Sequence, residues 1–217
     1  DWQLVILVCS IIIIMIMGVR QSLGLFLDPI TSFMKSGKEF FSFAIGVQAI
    51  IWGLVTFFLG ILIDKLGPQK VLAFGIISYS SGIFLMSNPT SEFVLFSATT
   101  LMGFGLGGAG MATMVSIAGK VAPVNKRSLA MGLVAAAASF GQFAVVLPTM
   151  WMNKEFGWEV SLVVLASISI SLLLLLPLLN STNEKNSNVQ DFGNSLQQTI
   201  MFSLKERNYI LLISGFF

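Results

Sequence analysis

Charged residues in this chain are spaced too widely for a water-soluble fold. Uncharged stretches run Trp2–Val19 (18 residues), Phe40–Ile63 (24), Val71–Ser91 (21), Phe93–Gly119 (27), Ser128–Asn153 (26) and Val160–Asn183 (24), and a seventh begins at Asn208. A helix needs about 20 mostly apolar residues to cross the hydrocarbon core of a bilayer. Only 10% of the 217 residues are charged and 55% are hydrophobic, whereas a soluble domain is roughly a quarter charged. Intrinsic disorder is excluded on the same grounds, since it needs low hydrophobicity and high charge. Six membrane spans and the start of a seventh are predicted. The first is expected to continue past Arg20 to about Phe33 as one long, tilted helix. Its apolar region exceeds about 15 residues and lacks a basic leader with a small-residue cleavage site, so it does not read as a signal peptide. The chain starts at Asp1 and stops inside an apolar run at Phe217, so a fragment is expected.

Spanning strands would alternate apolar and polar residues, but Ile11–Ile14 and Leu172–Leu176 are apolar without alternation. Helices satisfy their own backbone in lipid and accept such runs. An all-α membrane bundle is therefore predicted. Loops after the second, fourth and sixth spans hold Lys65, Lys70, Lys120, Lys126, Arg127, Lys185, Lys205 and Arg207; loops after the first, third and fifth hold Lys35, Lys38 and Lys154. That eight-to-three bias puts the even loops and the N-terminus in the cytoplasm.

Prolines punctuate the map. Pro68, Pro89 and Pro123 stand at predicted span ends, whereas Pro29, Pro148 and Pro177 lie within spans, where kinks are tolerated. The expected organisation is a six-helix bundle over 1–179, a polar cytoplasmic linker over 180–207, and the start of the seventh span over 208–217. Within the linker Leu196, Ile200 and Leu204 recur every four residues, the pattern of an amphipathic helix lying on the membrane surface.

Several chemistries are excluded early. There is no histidine, which removes His-based catalysis and most zinc sites. Cys9 is the lone cysteine and allows no disulfide framework. No paired carboxylates or metal ligands converge within the spans, so neither an enzyme nor a metal or cofactor site is expected. A net charge of +2 is too small to point to nucleic acid.

The strongest motif is Gly60-Ile-Leu-Ile-Asp64-Lys65-Leu-Gly67-Pro-Gln-Lys70, between spans two and three. Gly60 permits close helix approach, Asp64 closes a helix end, Gly67 supplies a turn, and Lys65 and Lys70 hold the loop inside. It resembles the G-x-x-x-D-R/K-x-G-x-R/K-R/K signature of the major facilitator superfamily, with Gln69 as the one departure. Arg127-Ser-Leu-Ala130-Met-Gly132 resembles the R-x-x-A-x-G start of that superfamily's fifth helix. The resemblance covers the whole chain as the N-terminal six-helix half plus the beginning of helix seven. In detail it is similar to the monocarboxylate and oxalate–formate branch, through Gly18-Val-Arg20-Gln21-Ser22-Leu-Gly24-Leu-Phe26 and Gln48-Ala-Ile-Ile-Trp52-Gly53. Thr99 stands where some proton-coupled drug transporters carry an arginine, and Ala138-Ser139-Phe-Gly141-Gln142 replaces the G-x-x-x-G-P antiporter motif. Both departures count against drug:proton exchange.

Arg20 is the leading site candidate. It lies about 24 Å along the helix from Leu4 at 1.5 Å per residue, and a cation near the bilayer centre costs at least about 2.5–3.5 kcal/mol. It should face a cavity or a partner. The resemblance implies that it meets a substrate carboxylate, which its planar fork can hold in two places; a partner on a later helix or outward snorkelling are the alternatives. Gln48 and Trp52 share a face at i, i+4, and with Gln142 they are candidate cavity residues, although interhelical hydrogen bonding is the default for polar residues in spans, Tyr79, Thr99, Thr113 and Ser139 included. Asp28 is either a protonation site for coupling or a solvated end charge beside Pro29. Gly103-Phe-Gly105-Leu-Gly107-Gly108-Ala-Gly110 contains a G-x-G-x-x-G, but inside an uncharged span it reads as a close-packing surface, as does the stripe Gly46, Gly53 and Gly60.

The function so implied is secondary active transport of small organic anions, plausibly monocarboxylates, by alternating access and with a coupled proton or counter-anion. Gly60, Asp64, Lys65, Gly67, Lys70 and Arg127 would form a conformational latch. Transport of another small solute, or a receptor on the same fold, are the alternatives. Asn, Lys and Ile usage points to a bacterial inner membrane.

Overall fold

The computed structural model describes residues 2–185. Its compact unit covers Asp1–Asn183, with Glu184–Phe217 forming a separate unit. The expected amphipathic helix around Leu196–Leu204 and the seventh span lie outside the described residues.

All regular structure described is helical: α1 (Trp2–Ser22), α2 (Leu27–Met34), α3 (Lys38–Leu66), α4 (Pro68–Met86), α5 (Glu92–Ala109), α6 (Met111–Val121), α7 (Arg127–Ala144), α8 (Val146–Phe156) and α9 (Trp158–Ser171), with short 3₁₀ turns between some of them. Together they make six spans: Trp2–Met34, Lys38–Gly60, Pro68–Met86, Glu92–Val121, Val124–Phe156 and Trp158–Leu179. Number and order match the charge spacing, and the chain is an integral membrane protein.

Spans one, four and five are each built from two helices, and the prolines explain most of the breaks. Proline offers no N–H to the carbonyl four residues earlier. For Pro29 that carbonyl belongs to Leu25, inside the 3₁₀ turn Leu23–Phe26 that parts α1 from α2. For Pro148 it belongs to Ala144, the last residue of α7. Pro177 acts on Leu173, within the 3₁₀ segment Leu172–Lys185. The first span is thus as long as expected, but it is not one helix. Span four breaks at Gly110, where the Thr113 hydroxyl donates to the Gly107 carbonyl at 3.3 Å. Gly67 (φ 85°) and Gly157 (φ 86°) make the turns after spans two and five in a region that favours glycine.

Helix pairing follows small residues. The most extensive contacts are α4 with α5, α3 with α5, α1 with α7 and α4 with α9. A Cβ on Gly75 would lie 2.6 Å from the Ala109 nitrogen, one on Gly105 2.5 Å from the Tyr79 Cβ, and one on Gly103 2.9 Å from the Gln48 carbonyl oxygen. The glycine run of span four is therefore a packing surface that admits two neighbours at backbone distance. The second-span stripe differs: among the described residues, Gly46, Gly53 and Gly60 have nothing within 4 Å of a built Cβ. They lie on the side of α3 opposite Gln48, Ile51 and Val55, which are the residues that meet α5.

The hydroxyls are a correction. Thr99 donates to the Phe96 carbonyl and Ser139 to Ala135, each within its own helix. A hydroxyl one turn along a helix finds a backbone acceptor without any partner helix. Tyr79 does bond across, donating to the Ile16 carbonyl of α1 at 3.1 Å. Ser78, on the neighbouring position, donates to Leu101 of α5 at 2.8 Å.

Candidate functional site

A cavity of about 430 Å³ lies between the first span and α3. Arg20, Gln21, Ser42 and Gln48 supply its polar lining, and Leu23, Leu27, Phe41 and Ile45 its apolar walls. Among the described residues no Asp or Glu lines it. Every polar side chain there except serine carries N–H donors, and Arg20 adds a full positive charge.

Arg20 sits in the last turn of α1 and is half-buried. Its guanidinium carbon lies 4.7 Å from the centroid of the Trp52 ring. Trp52 is one turn beyond Gln48 on α3, so the i, i+4 face foreseen from sequence does meet Arg20. The indole covers one side of the guanidinium, and such contacts stabilise by about 0.5–1 kcal/mol at exposed sites and 2 or more when desolvated. Arg20 has no carboxylate partner among the described residues.

Gln48 is 2% exposed, and its Nε2 is buried without a hydrogen-bond partner among the described residues. Leaving such a group unsatisfied costs about 1–3 kcal/mol. Its place is set by the α3–α5 contact, because Gly103 lets the Gln48 backbone approach α5. Arg20, Gln48 and Trp52 are therefore brought together at one site. Gln142 is not: it stands on the exposed face of α7, outside the cavity lining.

Asp28 lies on α2, above the cavity. Its Oδ1 is 2.6 Å from Nζ of Lys38, and both side chains are well exposed. Two lining residues, Gln21 and Ser42, were passed over from sequence. Gln21 adjoins Arg20, and Ser42 lies six residues before Gln48; only the meeting of α1 with α3 gives them a common wall.

The loop motif is at the opposite end of the bundle. Gly60 and Asp64 belong to α3; Lys65, in its last turn, is exposed, as are Lys70 in α4 and Arg127 at the start of α7. Gln69, the departure from the signature, donates from Nε2 to the Leu176 carbonyl at 3.1 Å. Nearby, Lys126 lies over the Trp2 ring at 5.5 Å.

The sequence profile of the Major Facilitator Superfamily matches residues 6–217. Three proteins show more local similarity. An agnestins efflux protein of Paecilomyces divaricatus is 26% identical over 166 residues, 75% of this chain and 36% of that protein. A vesicular acetylcholine transporter of Drosophila melanogaster is 32% identical over 152 residues, 66% of this chain and 26% of that protein. An uncharacterized MFS-type transporter of Bacillus subtilis (strain 168) is 25% identical over 161 residues, 71% of this chain and 38% of that protein. The chain thus spans well under half the length of the curated relatives it matches. A profile match across nearly every residue, together with six helical spans in the expected order, is decisive: the chain belongs to the major facilitator superfamily.

Proposed function

We propose that this chain is the N-terminal half of a secondary active transporter of small organic anions, monocarboxylates in particular. The observation that carries this reading is Arg20, held face-on against Trp52 at 4.7 Å in a cavity that Gln48 also lines. Among the described residues the Gln48 Nε2 is buried without a partner, and no carboxylate stands in the lining. Two donor groups facing one space favour an oxygen-rich anion, and a planar carboxylate matches the free edge of the guanidinium fork. The apolar walls suit a short hydrocarbon body.

A cationic substrate, such as the name of the acetylcholine transporter implies for that protein, fits less well. An aromatic ring attracts a quaternary ammonium through its face, and here Arg20 already occupies a face of Trp52. Gln142 would have to contribute from a different conformation. For Asp28, the ion pair with Lys38 supports an end-charge role over a proton-carrying one.

Alternating access would rock this bundle against a second one about the Arg20 site. The Gly60, Asp64, Lys65, Gly67, Lys70 and Arg127 cluster would latch the face bearing the even loops, on the cytoplasmic side. A coupled proton or counter-anion would drive accumulation, and the composition supports a bacterial plasma membrane as the setting.

The test is uptake of radiolabelled propionate by the full-length protein in liposomes. Arg20→Lys keeps the charge but loses the fork, and uptake should fall at least tenfold. Unchanged uptake would remove Arg20 from the substrate route. Binding without accumulation in the unaltered protein would point to a receptor instead.

A further inference from the structure

We infer that Tyr79 is the positioning residue for Arg20. The inference rests on the reading of Arg20 as an anion ligand, and it adds a third span to a site otherwise built from two. Three observations converge on it.

The Tyr79 side chain is fully buried, and its hydroxyl donates to the Ile16 carbonyl at 3.1 Å. In an α-helix the carbonyl of residue 16 is the acceptor for the N–H of residue 20. Tyr79 therefore grips the very peptide oxygen on which the Arg20 backbone hangs. A carbonyl has two lone pairs, so it can hold both donors, but the second one draws it toward α4. That pull sets the rotation of the last α1 turn about its axis, and with it the direction in which the long Arg20 side chain leaves the helix.

Room for this arrangement is made by a third helix. A Cβ on Gly105 of α5 would lie 2.5 Å from the Tyr79 Cβ and 2.6 Å from its Cα. Any larger residue at 105 would push the α4 backbone, and the ring with it, out of reach of α1.

Position matters at this point because α1 ends just beyond. The span breaks into the 3₁₀ turn Leu23–Phe26 directly after α1. The Arg20 turn is thus the last turn of α1, and its guanidinium must meet Trp52 across the gap to α3. Close packing of Gly18 against the end of α7, where a Cβ would collide with Val145 Cγ2, holds this turn on one side; the hydrogen bond at Ile16 adds a directional tie to α4 on another.

Tyr79→Phe removes the hydroxyl and keeps the ring, so the packed core is preserved. The experiment uses full-length protein with Trp2, Trp151 and Trp158 replaced by Phe, leaving Trp52 as the sole indole in the described bundle. First, Trp52 emission is compared between that protein, Arg20→Gln and Tyr79→Phe, with no ligand present. Arg20→Gln should shift the emission, and Tyr79→Phe should reproduce part of the same shift. If Arg20→Gln moves the emission and Tyr79→Phe does not, or if neither does, the inference is wrong. Second, propionate uptake is measured as a function of concentration. Tyr79→Phe should raise the half-saturating concentration about two- to tenfold, the range a single hydrogen bond spans, with the maximal rate within twofold. In an Arg20→Lys background the same change should add nothing further. Penalties that simply multiply would mean a general structural role and overturn the assignment. A fluorescence result as expected with no propionate uptake in any variant would leave Tyr79 in place and count against the anion-transport reading alone.

Discussion

The guanidinium of Arg20 and the indole of Trp52 meet at 4.7 Å across the gap between the first and second spans. The contact explains how a cation is tolerated within a span without a carboxylate partner among the described residues. It also gives the arginine a fixed plane, with its edges turned to the ligand proposed above. Trp52→Phe should keep part of this effect, and Trp52→Leu should lose it. From the usual worth of a cation–π contact, the leucine variant is expected to bind propionate about 5- to 30-fold more weakly. Saturation uptake by the two variants checks the order: tryptophan, then phenylalanine, then leucine.

The two sets of glycines predict opposite outcomes for the same substitution. Gly103→Ala would put a methyl 2.9 Å from the Gln48 carbonyl and 3.0 Å from Ile51, and should destabilise by about 1–3 kcal/mol. Gly53→Ala meets nothing within 4 Å among the described residues, lies inside a helix, and should be neutral or stabilise by up to about 1 kcal/mol. Thermal unfolding in detergent separates them, and equal midpoints would contradict the α3–α5 packing described above.

Asp28 and Lys38 are 74% and 66% exposed, so their ion pair should contribute no more than about 1 kcal/mol. Asp28→Asn is expected to leave stability and the pH profile of uptake nearly unchanged. A flattened pH profile would instead identify Asp28 as a proton carrier. Exchanging the two charges, Asp28→Lys with Lys38→Asp, distinguishes the cases further, since it restores a pair but not a carboxylate at position 28.

Much of this molecule was legible before any coordinates. Six spans follow from gaps between charges because lipid admits few alternatives to an apolar helix, and Pro29, Pro148 and Pro177 mark where spans bend because a missing N–H acts four residues upstream. What was not legible is which helix meets which. The heptad spacing of Gly46, Gly53 and Gly60 is as regular as that of any packing stripe, yet among the described residues it is the other side of α3 that meets α5. Gln48 and Trp52 could be placed on one face, but their encounter with Arg20 depends on how the first and second spans cross. Gln142 was grouped with them on residue type alone, and residue type carries no azimuth. Thr99 and Ser139 turned back on their own helices because the nearest acceptor for a short hydroxyl is local.

Asp64, two residues before the end of α3, and the Gly67 turn sit at the far end of the bundle from Asp28. A substitution there should therefore act on the exchange between conformations and not on the ligand. Gly67, at φ 85°, carries the chain straight from α3 into α4, whose second residue, Gln69, is bonded to the Leu176 carbonyl of the sixth span. The loop is thus fixed at its start by a glycine conformation and just after it by a cross-span hydrogen bond. Asp64→Asn is expected to lower the maximal rate of propionate uptake at least fivefold while changing the half-saturating concentration less than twofold. Gln69→Leu, which removes the bond to Leu176, should cost about 1 kcal/mol of stability and also slow turnover. Concentration-dependent uptake gives both parameters at once. A loss confined to the half-saturating concentration in Asp64→Asn would place the motif in substrate binding and remove it as a latch.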